Sequence, residues 1–423
     1  MYNTNKNMEE KKEEKKEGIK MINQGTYGCI FRPGLTCEGM IDDNKKLITK
    51  VQKQKKTSAN EIAIGKELME IKNYNRYYAP IIDSCEVDIG KIQDGEVRNC
   101  DFIEKNKEEG KSLQFEINKI PFVGKKTLGD YYLDLLEKNG EKKFGEKFIN
   151  GYNVLIEGAR KMSERGIIHY DIKENNIMCR PGSGRPIYID YGLSFNINEV
   201  LKNNDLSVFY VYAPDYPAWC LEINVLSYLM NEIGDKIEKK EELDKFPVSI
   251  ETIKECVETY YKENKGINRV LNEEEIEEQK VKALNYFSGI INKVGFGTTK
   301  WRTVKEELLK TYETWDIYGV SITYLQLYKD LSIDEKEIPH MLKMKEILKD
   351  VVSAMPNERP NGKEVLLRLK KELGKTSRKN EEKLIDLLKR ITDKDRQMRR
   401  ERYVDSKMKS VKRVYNVDNN VFM

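Results

Sequence analysis

The chain has 423 residues, 39% of them apolar and 35% charged, and a formal net charge of +4. That length predicts two or three compact units, and the apolar share is enough for a core, which excludes wholesale disorder. No apolar run reaches the roughly 18 residues a membrane helix needs, and residues 1–20 carry no apolar leader segment.

Residues 1–19 alternate Lys and Glu clusters and read as a charged leader with no core of its own. From residue 20 to about Ile120, short β-like runs alternate with Gly turns and one helix, announced by the N-cap types Thr57, Ser58 and Asn60. From Thr127 to about Arg165 the pattern is helical, with Leu128, Tyr131, Tyr132 and Leu135 on one stripe. Ile167-Ile168 and Ile187-Tyr188-Ile189 read as short buried strands, and helices dominate after Pro217. Residues 371–423 hold sixteen Lys and Arg against nine Asp and Glu, a net +7, which leaves residues 1–370 at −3. This basic tail is either a solvated helix or an anchor for an anionic partner. β-rich first and helical second, the chain is expected to be an α+β protein with two lobes, 20–120 and 121–370.

The seven cysteines are odd in number and show no Cys-x-x-Cys spacing. They are expected to be reduced thiols in the cytoplasm. With His169 and His340 the only histidines, a zinc site is not expected.

Four groups of residues carry chemistry. In Ile22-Asn23-Gln24-Gly25-Thr26-Tyr27-Gly28-Cys29-Ile30, two glycines three apart suit a hairpin whose backbone N–H groups can face phosphate oxygens, or simply a turn. Lys50 ends the apolar run Leu47-Ile48-Thr49 and needs a partner if buried. Glu61 shares a helix face with Ile64, Gly65 and Leu68, and a carboxylate on an apolar face asks for a cation. His169-Tyr170-Asp171-Ile172-Lys173-Glu174-Asn175-Asn176 follows an apolar strand and precedes Tyr188-Ile189-Asp190-Tyr191-Gly192. Such a set suits phosphoryl transfer: Asp171 to orient a hydroxyl and take its proton, Asn176 and Asp190 as hard oxygen ligands for Mg²⁺, and Lys173 to offset phosphoryl charge.

In these residues the chain resembles a eukaryotic-type serine/threonine protein kinase. Gly25-Thr26-Tyr27-Gly28 is similar to the second half of the glycine-rich loop, Lys50 to the strand lysine that touches the α- and β-phosphates, and Glu61 to its helix partner. His169–Asn176 resembles the catalytic loop, and Asp190-Tyr191-Gly192 stands where the family has Asp-Phe-Gly. Ala213-Pro214-Asp215 resembles the Ala-Pro-Glu motif, Trp315–Gly319 the central helix whose Asp ties down the catalytic loop, and Arg359 the partner of the Ala-Pro-Glu acid. The resemblance implies a two-lobed kinase fold with a β-rich small lobe and a helical large lobe. It also implies ATP and Mg²⁺, and protein substrates carrying Ser or Thr. Ile22, Ile30, Ile48, Met178, the gatekeeper Ile120, and Pro121 and Val123 of the hinge are then expected around the nucleotide. The Lys-, Asn- and Ile-rich composition is similar to that of kinases of large DNA viruses, which would place the chain in the host cytoplasm or the virion.

Departures from the family pattern are equally specific. Asn23 replaces the first loop glycine, Tyr170 the Arg that clamps a phosphorylated segment, and Val208 the usual Thr seven residues before the acid of Ala-Pro-Glu. From Asp215 to Asp316 is 101 positions, so residues 217–300 read as a helical insertion, either packing on the large lobe or serving as a docking element. A small-molecule phosphotransferase of the same fold and a non-catalytic scaffold are the alternatives to a protein kinase.

Overall fold

Alternation decides the first part of the chain. In Leu47–Gln52, Thr49 and Val51 are buried while Lys50 on the opposite face is half-buried, the period-2 signature of a strand with two different faces. In the computed structural model this strand, β5, is the middle of a five-stranded antiparallel sheet ordered β1-β2-β5-β7-β6. Its partners are β1 (Met21–Gly25), β2 (Gly28–Phe31), β6 (Asp83–Asp88) and β7 (Gln114–Pro121), while β3 (Gly34–Leu35) and β4 (Ile41–Asp42) form a separate ribbon. The structure describes residues 18–373 except 26–27, 54–55, 93–96, 98, 110–113, 140, 235–239, 293–296, 334–337 and 339. The charged leader up to residue 17, Thr26, Tyr27 and the basic tail from residue 374 therefore lie outside the described residues.

The chain divides into two units: Met1–Ile62 with Ile81–Phe122, and Ala63–Pro80 with Val123–Met423. Residues 63–80 thus belong with the second unit. In the first, Cys29, Phe31, Val51, Val87, Phe115 and Ile117 form a small core together with Ile103 of the helix Asp101–Glu108. That helix is tied to the β1–β2 hairpin by the Cys29–Cys100 disulfide and by Gln24, whose side chain donates to Asp101 at 2.5 Å. A second disulfide joins Cys37 to Cys85. The expectation of seven reduced thiols is corrected here: only Cys179, Cys220 and Cys256 are free, and all three are buried. The paired cysteines stand 71 and 48 residues apart in sequence, so spacing along the chain carried no sign of their pairing. The cytoplasmic compartment argued from reduced thiols loses that support.

The second unit is helical around the helix Trp315–Asp330, whose residues are buried on nearly every face, as befits a helix at the centre of a core. It packs with the 23-residue helix Glu141–Ser163 and with Leu128–Asn139. Aromatic rings fill the contact: Phe148 and Tyr324 lie 4.7 Å apart between centroids, and the Tyr132 and Tyr324 hydroxyls meet at 2.8 Å. Three short ladders complete the unit: β8 (Lys126–Thr127) with β10 (Ile177–Cys179) and β11 (Pro186–Tyr188), β9 (Ile167–Ile168) with β12 (Phe195–Asn196), and β13 (Pro247–Ser249) with β14 (Thr298–Lys300). The chain is thus α+β, with an antiparallel sheet in one unit and mainly helices in the other. Among the described residues no helix is long and apolar enough to cross a membrane.

The described residues between 217 and 300 include the helices Leu221–Gly234, Ile250–Glu263, Lys265–Val270 and Glu273–Ile291. Their apolar sides, including Ile253, Val257, Ala283 and Phe287, are part of the second unit's core, and Tyr260 meets the hydroxyl of Tyr318 at 2.9 Å. Helix-cap residues start three of these helices, with Asn272 and Glu275 forming a reciprocal capping box.

Candidate active site

Two clusters of charged residues stand out, one in each unit. In the first, β5 holds Lys50 opposite Asn118 of β7 and Ile30 of β2. The Lys50 ammonium pairs with Glu61 at 3.0 Å, and Glu61 is 3% exposed. A buried carboxylate is costly unless paired, and the pairing expected from the helix face is present. Ile48 stands opposite Ile120 and Leu47 opposite Pro121. Ile30, Ile48, Ile120 and Pro121 are half-buried, and Ile22 is exposed on β1. Gly25 and Gly28 close the β1–β2 hairpin as a cross-strand pair. A Cβ on Gly28 would lie 2.2 Å from the Val51 carbonyl oxygen, so the close approach that demands glycine there is to the sheet itself.

In the second unit, β9 delivers the segment His169–Asn176. Its backbone is held from below by Asp316, at the start of the central helix: the His169 and Tyr170 N–H groups donate to its two carboxylate oxygens at 2.7 and 3.2 Å. Burial pushes the Asp316 carboxyl above its ordinary value, against the opposing pull of His169 and the two N–H groups. With these bonds in place Tyr170 is held at φ +69°, a left-handed conformation that bulky residues rarely adopt and that surrounding structure must enforce. The turn aims Asp171.

Asp171 is 8% exposed and collects donors from three side chains. Lys173 reaches its two oxygens at 2.9 and 3.1 Å. The Asn176 amide nitrogen donates to Oδ2 at 2.7 Å and to the Asp171 carbonyl at 2.9 Å. The Tyr216 hydroxyl donates to Oδ1. Burial pushes this carboxyl up, but the hydrogen bonds from Tyr216 and Lys173 outweigh it and hold it below its ordinary value. The result is a buried base kept ionised. Tyr216 is moved the other way: burial and the Asp171 charge raise its phenol, so it stays a donor.

Asp190 is exposed, with φ +62°. Its neighbour Ile189 donates its N–H to the Asn176 carbonyl at 3.0 Å, so Asn176 and Asp190 sit at the same end of the β10–β11 hairpin. Met178 on β10 is half-buried and Val123 is buried. Among the described residues no group of three or more His, Cys, Asp or Glu gathers as a metal site.

The segment after Asp190 is ordered by rings. Tyr170 lies 4.7 Å from Trp219 and 5.2 Å from Phe195, and Phe195 packs edge-on against Phe209. The Trp219 indole N–H donates to the Tyr170 carbonyl at 2.8 Å. Ser194 is 1% exposed and donates to the His169 carbonyl at 2.9 Å.

One expectation is overturned outright. Asp215 is not the partner of Arg359: it is half-exposed and pairs with Lys265 at 2.8 Å. Arg359, 3% exposed, forms a two-pronged pair with Glu222, whose side chain is fully buried. Burial opposes the guanidinium charge, and the Glu222 carboxylate more than restores it. Glu222, not Asp215, is therefore the acid that pairs with Arg359, and the position seven before it is Asp215 rather than Val208. The signal was present in the sequence: Glu222 is an acid in the otherwise apolar stretch Trp219–Leu229, interrupted only by Asn224 and Ser227. Tyr216, by contrast, has no local pattern that announces its contact with Asp171.

The chain matches no protein-family model, and none of the curated proteins matches it.

Proposed function

We propose that the chain is an ATP-dependent protein kinase that moves the γ-phosphoryl group of ATP to Ser or Thr hydroxyls of protein substrates. The observation that carries this reading is the Asp171 carboxylate: buried, kept ionised by Lys173 and Tyr216, and carried on a loop whose backbone is fixed by Asp316. The two-lobed kinase fold is the finer reading of the α+β architecture. It is supported by the order of the parts along the chain: glycine hairpin, Lys50–Glu61 pair, Asp171 loop, Asp190 turn, buried Asp316 and the Arg359–Glu222 pair.

In this reading the acceptor oxygen bonds to the γ-phosphorus, the bond from that phosphorus to the bridging oxygen of ADP breaks, and the acceptor proton passes to Asp171. Lys173 spans both Asp171 oxygens. Turning its ammonium to the moving phosphoryl group opens a lone pair for the acceptor hydroxyl. Lys50 takes the α- and β-phosphates, with Glu61 holding it ready. The Asn176 amide nitrogen is bound to Asp171, so its oxygen and the Asp190 carboxylate fit a hard cation. Mg²⁺ bound there would neutralise phosphate charge.

The test is turnover of ATP with a Ser/Thr peptide library and, in parallel, a panel of small hydroxyl acceptors. Phosphopeptide formation that is lost in Asp171→Asn supports the reading. Transfer to small acceptors alone would favour a small-molecule phosphotransferase, and no turnover with either would favour a scaffold.

A further inference from the structure

The helical insertion holds the stretch that leads to Glu222 at several points. Lys305, fully buried on the helix Trp301–Leu309 that follows the insertion, donates to the Asn204 side chain at 3.0 Å and pairs with Asp244 of the insertion, bridging the two. Asn231 donates to the Tyr210 carbonyl at 2.9 Å. Asn264 contributes most. Its Oδ1 accepts the N–H groups of Gly266 and Ile267 at 3.1 and 3.0 Å, capping the helix Lys265–Val270. Its Nδ2 donates to the carbonyls of Pro214 and Tyr216 at 3.2 and 3.0 Å. Two donors and two acceptor sites are all that an Asn side chain owns, and this one, with 0% exposure, spends every one. Tyr216 is thus held by its carbonyl at one end while its hydroxyl engages Asp171 at the other.

We propose that Asn264 is a positioning residue for the transfer reaction. It fixes Tyr216, and Tyr216 in turn holds the Asp171 carboxylate in its working orientation. The insertion then supplies within the chain the order that a bound phosphate would otherwise impose on this segment. The proposal rests on the kinase reading of Asp171. Its physical basis is that Asn176 anchors Oδ2 alone. Once Lys173 turns to the phosphoryl group, Tyr216 is the side chain left to stop the carboxylate from rotating about its last bond.

The full-length chain carries the test, with ATP and a Ser/Thr peptide acceptor. Asn264→Asp keeps the helix cap, since Asp caps as well as Asn, but removes both donors to Pro214 and Tyr216. Tyr216→Phe keeps the ring against Trp219 and removes the hydroxyl. Each is expected to lower kcat about ten-fold or more with KM for ATP within about two-fold, and the double variant to be no slower than Tyr216→Phe, because the two act in series. Amide exchange over residues 205–220 should rise about ten-fold in Asn264→Asp and stay unchanged in the helix Trp315–Asp330. Losses that multiply in the double variant, or an Asn264→Asp kcat within two-fold of the parent, would overturn the proposal. A parent with no phosphoryl transfer would instead overturn the functional reading and the catalytic half of this one, and the exchange measurement would still decide whether Asn264 holds Tyr216.

Discussion

The first unit is built on one face of a five-stranded sheet, with a small core and two disulfides. The second is built around a buried helix and a continuous aromatic and aliphatic core, and its cysteines Cys179, Cys220 and Cys256 stay unpaired. Small units bury a smaller share of their surface and need staples more than large ones do. The chemistry divides along the same line. The first unit offers a cation, Lys50, steadied by one buried acid. The second offers a base whose orientation is set by a strained backbone, a buried acid beneath it and donors from three side chains.

The largest effect should come from testing that division. Asp171→Asn is expected to lower kcat about 10³-fold or more while nucleotide affinity stays within two-fold. Lys50→Met should do the reverse in kind, weakening nucleotide affinity. Steady-state phosphorylation beside nucleotide titration reads both. Equal turnover in Asp171→Asn and the parent would remove the base from the second unit.

Next in size is the lock inside the second unit. Removing one partner of a buried pair leaves an uncompensated charge, so Glu222→Ala or Arg359→Ala should cost roughly 3–5 kcal/mol. Asp215→Ala should cost less than about 1 kcal/mol, because its pair with Lys265 is exposed. Chemical denaturation of the three variants, with the Glu222/Arg359 double variant closing a cycle, measures the coupling. Equal losses for Asp215 and Glu222 would return the lock to Asp215.

How much of this was legible in the sequence follows from distance along the chain. Asp171, Lys173 and Asn176 lie within six residues, and a loop that short keeps its pattern in the sequence. Lys50 and Glu61 were legible because each stood out against an apolar face. Glu222 was missed because Ala213-Pro214-Asp215 offered a closer match of letters, whereas the pairing depends on which acid a helix carries into the core. Tyr216 and Asn264 were beyond reach for another reason. Their contacts join residues 45 and 48 positions apart, and no periodicity links a turn to a distant helix cap. The disulfides failed to show in the same way, since the packing of the helix Asp101–Glu108 on β2, not spacing, brings Cys29 beside Cys100.

The third effect is smaller and confined to the first unit. Replacing Cys29 and Cys100 together by Ser should lower that unit's stability by roughly 2–4 kcal/mol, and reducing both disulfides by more, mainly by freeing the unfolded chain. The second unit should be unmoved, because its three cysteines form no bond. Hydrogen exchange, read separately for β5 and for the helix Trp315–Asp330, distinguishes the two. Equal destabilisation of both would break the comparison between a stapled unit and a self-sufficient one.

The smallest expected effect concerns phosphorylation of the segment after Asp190. In the proposed kinase reading Tyr170 stands where an Arg would clamp a phosphate, and it cannot make the charge-assisted pair. It does something else: it packs against Trp219 and Phe195, and Phe195 passes the contact on to Phe209. Ser194 is buried and its hydroxyl is engaged by the His169 carbonyl, so a phosphate there would have to displace that bond. Ser207 is half-buried and is the more accessible of the two. Because rings and the insertion already order the segment, dephosphorylated protein should turn over peptide within about three-fold of phosphorylated protein, and Ser207→Ala should match it. Phosphatase treatment followed by turnover measurement reads the difference. A ten-fold loss, about 1.4 kcal/mol of barrier, would mean that packing alone does not set the segment and that a cation such as Lys202, on the helix Ile197–Asn203, takes the place of the missing Arg.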